Sequence, residues 1–254
     1  MNNLTFTEEF HSFASSKQDP IAGGILVSKL VDPEISESLI RARLEELASG
    51  LRSTIVSSYS ILEYLKILGF QGAKDYAKSE NSSLNYVLNQ KRGIPISLAL
   101  VLMGVSRNLG LTAQGINYPG HFLVRIEGEL VDPYGLSVLD ERALDADRDG
   151  KSSLDKMVAS GGQIVVRMLS NLRQIATDNG SYEKALDFSS YQLIVADEPF
   201  PIFLERVSLW LALGVSEMAL FELDKSLSLA PTEEIREKLT LHRERIKQNP
   251  SKLH

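Results

Sequence analysis

The sequence predicts an α+β protein with a helical N-terminal part, a core made of one buried helix and a small antiparallel sheet, and an all-helical repeat region. Three observations predict this. Apolar residues recur at helical spacing over the first eighty residues, apolar and polar residues alternate around residues 121–132, and a residue pattern recurs at an offset of 34 in the last third. With 254 residues and 43% hydrophobic residues, the chain can bury this core without disulfides.

The N-terminal segment is predicted to be helical throughout. Four stretches carry apolar residues at helical spacing: residues 6–14, 21–30, 35–51 and 55–68. Asp32 and Pro33 are start signals before the third stretch, and Gly69 is a stop signal after the fourth. No alternating pattern predicts a strand in these eighty residues.

The central element is predicted to be a buried helix. Residues 98–109 are almost wholly apolar and are followed by Gly110. A helix that is apolar on nearly every face is buried on nearly every side. Pro95 lies shortly before this stretch and suits the first turn of a helix, where a missing N–H costs little.

The period then changes to that of strands. Residues 112–117 form a short strand-like stretch, and a Tyr-Pro-Gly turn precedes His121. If Glu127 and Gly128 form a two-residue turn, Ile126 faces residue 129. In this register Asp132 lies diagonal to His121 on one face of the hairpin. An Asp beside a His is the orienting half of a nucleophilic triad; the alternative is a structural His satisfied by an Asp.

The last third of the chain is predicted to be helical, after an exposed loop rich in Asp and Arg at residues 140–151. Six residues recur 34 positions later, which is the period of a tetratricopeptide (TPR) helix hairpin. The pairs are Gly180 with Gly214, Glu183 with Glu217, Ala185 with Ala219, Leu186 with Leu220, Leu193 with Leu227 and Ala196 with Ala230. We therefore expect two domains: residues 1–160, with a helical segment 1–80 and a core 81–146, and a TPR-like region 161–254.

Composition excludes several classes of function. The net charge of −6 argues against a nucleic-acid partner, because phosphate binding needs clustered Lys and Arg. The chain has no cysteine, which excludes a disulfide framework, a thiolate zinc site and an iron–sulfur cluster. No two histidines have metal-ligand spacing and no cofactor fingerprint is present, so we expect neither metal nor cofactor. No apolar run is long enough for a membrane span, and the cytoplasm is the expected compartment.

Five blocks of the sequence together form a specific pattern: LNYVL at residues 84–88, RGIPISLA at 92–99, GINYPGHFLVR at 115–125, VDP at 131–133 and RMLSNL at 167–172. With these blocks the chain resembles the SirB-type transglutaminase-like proteins of bacteria, which carry TPR-like helices in their C-terminal half. The resemblance covers residues 35–248. It implies a papain-like fold, in which broader relatives place a Cys at the start of a buried helix, a His on a following strand and an Asp on the next strand.

Mapped onto this chain, the resemblance implies that His121 and Asp132 match the relatives' His and Asp. The Cys falls at about Pro95, which cannot attack a substrate, and Ser97 lies two residues away. A Ser hydroxyl at a helix N-terminus gains less activation than a thiol and needs direct proton removal by the His. Ser97 is otherwise a first-turn residue bonded to backbone N–H groups.

Two hypotheses follow. In the first, the chain is a non-enzymatic binding or regulatory protein, a pseudoenzyme whose former cleft presents Pro95, Asn117, Tyr118 and His121, and which binds a protein or peptide partner through residues 161–254. In the second, it is a hydrolase or acyl transferase with Ser97 as nucleophile, His121 as base and Asp132 as orienter. The missing thiol favours the first.

Overall fold

The computed structural model describes residues 3–16, 19–52, 55–141 and 154–248. The chain divides into two compact units, residues 1–168 and 169–254. Most of the loop predicted at residues 140–151 lies outside the described residues.

The described residues form eleven α-helices and six short strands. The helices are α1 (Asn3–Ser16), α2 (Pro20–Lys29), α3 (Glu37–Ser49), α4 (Ser58–Ile67), α5 (Leu84–Gln90), α6 (Pro95–Asn108), α7 (Gly161–Asp178), α8 (Tyr182–Val195), α9 (Phe200–Ala212), α10 (Ser216–Ser228) and α11 (Glu233–Gln248). The strands are β1 (Gln71–Gly72), β2 (Arg92–Gly93), β3 (Ala113–Ile116), β4 (Leu123–Ile126), β5 (Glu129–Asp132) and β6 (Ser137–Val138). Two 3₁₀ turns lie at Ser79–Ser82 and Leu154–Met157.

The four predicted N-terminal helices are confirmed, with one start signal misassigned. Helix α3 is preceded by Ser36 in extended conformation and not by Asp32. The Asp32 carboxylate instead accepts a hydrogen bond from Asn85 Nδ2 at 2.9 Å, which ties the chain between α2 and α3 to α5. Gly69 ends α4 as predicted: its φ is +90°, and its N–H donates to the Lys66 carbonyl at 2.8 Å.

The first eighty residues also contain a strand that the pattern does not predict. Strand β1 pairs in parallel with β2, with Gln71 opposite Arg92 and Gly72 opposite Gly93. The expectation of no strand before residue 80 was therefore wrong. Two residues are too few to show an alternating pattern, because alternation needs four or more positions. The pairing of β1 with β2 holds in place the segment that leads into α6.

Helix α6 is the core of the N-terminal unit, as predicted, and begins at Pro95. Every residue from 96 to 106 is buried. The helix packs against α2, α3, α4 and α5 and against strands β3 and β4. A Cβ added at Gly104 would lie 2.8 Å from Leu44 Cδ1, so the absence of a side chain there lets α3 approach closely.

The antiparallel sheet has the order β3–β4–β5–β6. The predicted hairpin register is confirmed, because Ile126 faces Glu129. Glu127 and Gly128 have φ values of 48° and 87°, the positive angles that a type I′ two-residue turn requires. Both faces of β4 are covered: Leu123, for example, packs with Ile116, Leu130 and Leu154 in an apolar cluster.

The C-terminal unit consists of helices, with α7 contributing residues to both units. Gly180 and Gly214 have φ values of 69° and 72°. Each is followed two residues later by the start of a helix, α8 and α10, at the predicted offset of 34. Ala185 and Ala219, one in each of these helices, are both fully buried. That this region is a TPR array stays a prediction.

None of the described helices is both long and apolar enough to cross a membrane.

Candidate functional site

The N-terminus of α6 is where the resemblance places a nucleophile. Pro95 occupies the first turn and Ile94 precedes it in extended conformation, as the sequence predicts. Pro95 is half-buried, so this position has access to solvent. Just before it, a Cβ added at Gly93 would lie 2.6 Å from Ser97 Oγ. Gly93 therefore allows β2 to pass directly over the Ser97 side chain.

Ser97 is fully buried in the first turn of α6. Its single hydroxyl hydrogen is shared between two acceptors, the Asn81 carbonyl at 2.7 Å from Oγ and the Ile94 carbonyl at 3.0 Å. The expectation that this hydroxyl bonds backbone N–H groups was therefore wrong: the partners are carbonyl oxygens. In the described part of the chain no hydrogen bond joins Ser97 to His121, and an acceptor base is what a serine nucleophile requires.

His121 lies at the end of a turn that precedes β4. Its backbone N–H donates to the Tyr118 carbonyl at 3.0 Å, and Gly120 supplies the positive φ of 77° that the turn needs. The imidazole is exposed, with its ring centroid 6.3 Å from that of Tyr118. Because the pairing of β4 with β5 begins only at Val124, opposite Val131, the hairpin register does not hold His121 against β5.

Asp132 stabilises a different turn, the one that joins β5 to β6. Its Oδ1 accepts from the Tyr134 N–H at 2.9 Å and its Oδ2 from the Gly135 N–H at 3.0 Å. This arrangement is an Asx-turn, in which the carboxylate bonds the backbone just after it. Among the described residues, no hydrogen bond joins Asp132 to His121. Each member of the predicted pair thus belongs to its own turn.

The structure brings together two tyrosines that the sequence analysis did not single out. The rings of Tyr76 and Tyr134 have centroids 5.9 Å apart, and the Tyr134 hydroxyl donates to the Ala73 carbonyl at 3.1 Å. Tyr134 lies over Gly72, where an added Cβ would come within 2.2 Å of its ring. Strand β1, which contains Gly72, pairs with the strand that leads into α6. Proximity of two residues 58 positions apart leaves no local signal in the sequence.

The environment of Tyr76 is electrostatically distinctive. Desolvation, then the Tyr134 hydroxyl and the Asp132 carboxylate, raise the pKa of Tyr76 to about 12. The phenol is therefore harder to ionise than that of a free tyrosine. The two tyrosines form an aromatic and polar surface next to β1, which pairs with the strand that leads into α6.

The remaining predicted binding residues lie around the turn that precedes His121. Asn117 is exposed, and its side-chain Oδ1 accepts a hydrogen bond from Arg167 of α7. Tyr118 is half-buried and packs against the cluster formed by Ile116 and Leu123. Tyr118 therefore anchors the turn to this apolar cluster.

Within residues 3–16, 19–52, 55–141 and 154–248, no three His, Asp or Glu side chains come together as ligands for an ion.

Comparison with known proteins identifies relatives of this chain. The family described as the transglutaminase-like superfamily matches residues 38–170, about half of the chain. A UPF0162 protein of Xylella fastidiosa is 30% identical and covers 79% of this chain and 85% of its own length. The UPF0162 protein PA3419 of Pseudomonas aeruginosa is 31% identical over 77% of this chain and 73% of its own length.

Protein SirB1 of Salmonella typhimurium is 26% identical and covers 85% of this chain and 88% of its own length. No solved structure matches the chain significantly. The family match covers α3 to α7, which includes the buried helix, the antiparallel sheet and every predicted site residue. This chain therefore belongs to the transglutaminase-like superfamily, and its relatives include the SirB1 and UPF0162 proteins.

Proposed function

We propose that this protein is a non-thiol member of the transglutaminase-like superfamily that acts by binding a partner and not by catalysis. The proposal rests on one observation: the N-terminus of α6 has no accessible nucleophilic side chain at positions 95 and 97. Pro95 stands where the family resemblance implies a Cys, and the neighbouring hydroxyl of Ser97 is buried and donated to carbonyl oxygens. The chain has no cysteine elsewhere.

The positions of the other two residues support the same proposal. A triad requires the carboxylate to orient the imidazole. In Asp132, however, both carboxylate oxygens accept hydrogen bonds from backbone N–H groups of its own turn. His121 is exposed on another turn. No observation favours a Ser-dependent hydrolase built from Ser97, His121 and Asp132, and we propose that these residues serve structure and ligand contact.

We further propose that the partner is a protein or peptide bound through the TPR-like region, residues 161–254, in the cytoplasm. One surface of α10 supports this. Met218 is 36% exposed and Phe221 is 53% exposed, and they lie three positions apart on the same face of the helix. Lys225 lies 5.3 Å above the Phe221 ring. Adjacent exposed apolar side chains are typical of interaction surfaces.

The experiment is a pull-down from native cell extract with the tagged full-length chain. The double variant M218S/F221S should lose the captured partner, because it removes the apolar surface of α10 while leaving its buried face intact. Ile67→Ser is the matched control: Ile67 is 81% exposed on α4 of the other unit, and its replacement should leave capture unchanged. Retained capture by the double variant, or hydrolytic turnover that depends on His121, would contradict the proposal.

A further inference from the structure

Arg167 has an unusual environment at the end of the N-terminal unit. It lies on α7, is half-buried, and has its guanidinium 5.5 Å from the centroid of the buried Phe122 ring. One of its terminal nitrogens donates to Asn117 Oδ1. In the part of the chain that the structure describes, no Asp or Glu forms an ion pair with it.

Two other arginines with little exposed side-chain surface, Arg125 and Arg206, are neutralised by carboxylates. Arg125 contacts the carboxylates of Glu141 and Asp155, at 3.1 and 2.6 Å, and Arg206 contacts Glu222 at 2.7 Å. Arg167 has an amide oxygen and an aromatic face instead. Burial without a compensating anion lowers the pKa of the Arg167 guanidinium, which indicates that its charge is poorly compensated by the protein itself.

Part of this guanidinium is open to solvent. None of the fully buried side-chain nitrogens that lack a hydrogen-bond partner belongs to Arg167. Its N–H groups that Asn117 does not use are therefore not fully buried. Since Asn117 accepts through Oδ1, its own NH₂ group is left to donate, and Asn117 is exposed. Arg167 and Asn117, which are joined by a hydrogen bond, are thus both at least partly open to solvent.

Arg167 also contacts both ends of one turn. Asn117 precedes this turn and Phe122 follows it, and the exposed His121 lies between them. A ligand held by Arg167 would consequently lie beside residues that the sequence analysis assigned to binding. Arg167 lies within the RMLSNL block at residues 167–172, but nothing in that block indicates how its charge is compensated.

We propose that Arg167 and Asn117 form a binding site for a carboxylate group supplied by a separate ligand. A guanidinium fork matches the two oxygens of a carboxylate, and one monoanion balances the one uncompensated positive charge. A phosphate dianion would leave excess negative charge on a protein whose net charge is already −6. The inference does not depend on the proposed function, because a carboxylate binds here with or without catalysis.

The test is an NMR titration of the full chain with N-acetylglycine, using the His121 ring and Asn117 side-chain signals as reporters. We expect saturable shifts, and none with the neutral N-acetylglycinamide. Arg167→Gln should weaken binding by at least about tenfold, because it removes the charge-assisted hydrogen bonds, and Arg167→Lys should weaken it less. Arg43→Gln is the matched control: Arg43 is also half-buried and also donates to an Asn side chain, Asn89.

The chain itself contains another source of carboxylates, Asp145, Asp147 and Asp149. If the wild type does not respond and the triple variant D145N/D147N/D149N does, the site is filled from within the chain and the proposal fails. It also fails if inorganic phosphate binds more tightly than N-acetylglycine, or if Arg167→Gln, shown by circular dichroism to be folded, binds as well as the wild type. A purely structural Arg167 would give no saturable shift in any variant.

Discussion

Replacing Ser97 with Ala tests whether its hydroxyl serves the fold. The Ile94 carbonyl keeps the N–H of Leu98 at 3.1 Å, so the loss falls mainly on the Asn81 carbonyl, which accepts from Ser97 at 2.7 Å. Losing one buried hydrogen bond and leaving a carbonyl without its donor costs about 1–3 kcal/mol. For a chain of this size, each kcal/mol lowers the melting temperature by about 2–4 °C.

The assay is urea unfolding followed by circular dichroism for the wild type, Ser97→Ala, His121→Ala and the double variant. We expect a lower midpoint at unchanged slope for Ser97→Ala. For His121→Ala, whose imidazole is exposed, we expect a change within about 0.5 kcal/mol. The two effects should add, because no contact joins the residues. A coupling energy above about 1 kcal/mol would refute the reasoning, since it requires a direct interaction between Ser97 and His121.

Two further predictions concern the buried Arg206–Glu222 ion pair and the Tyr76 phenol. In the C-terminal unit, Arg206→Met should destabilise by about 3–5 kcal/mol in thermal unfolding, because the Glu222 carboxylate would stay buried without its cation; a loss below about 1 kcal/mol would contradict this. Tyr76 should ionise at about pH 12 in the folded chain, measured as its phenolate absorbance against Tyr76→Phe. Since the pKa is raised on folding, its contribution to stability is complete below about pH 10 and is lost as the pH rises towards 12; ionisation at the ordinary value would contradict this.

The larger elements of the fold follow from patterns within the sequence. The apolar stretch at residues 98–109 predicts α6 because a fully apolar helix has to be buried, and Glu127-Gly128 predicts the hairpin because a type I′ turn needs positive φ angles. The boundaries were less accurate. Strand β1 escapes prediction because two residues carry no period, and the Asp32 start signal fails because that carboxylate bonds Asn85 instead.

The site was less predictable than the fold. The predicted hairpin register would place residues 121 and 132 on one face. Strand pairing fixes this relation only as far as the hydrogen-bonded ladder extends. The ladder between β4 and β5 reaches Val124 and stops before His121. Asp132 finds nearer donors in its own turn. The Tyr76–Tyr134 pair and the contacts of Arg167 with Asn117 and Phe122 arise between distant segments, and a single sequence does not encode them in any local pattern.

The central claim is that position 95 is accessible at the N-terminus of α6 whereas position 97 is not. Because the chain has no cysteine, Pro95→Cys and Ser97→Cys each create a single thiol, and their alkylation rates by iodoacetamide can be compared in the folded protein. We expect Pro95→Cys to react readily at the helix N-terminus, and Ser97→Cys to react at least about a hundredfold more slowly until urea unfolds it. Equal rates in two folded variants would contradict the account, because they would place residue 97 within reach of a substrate.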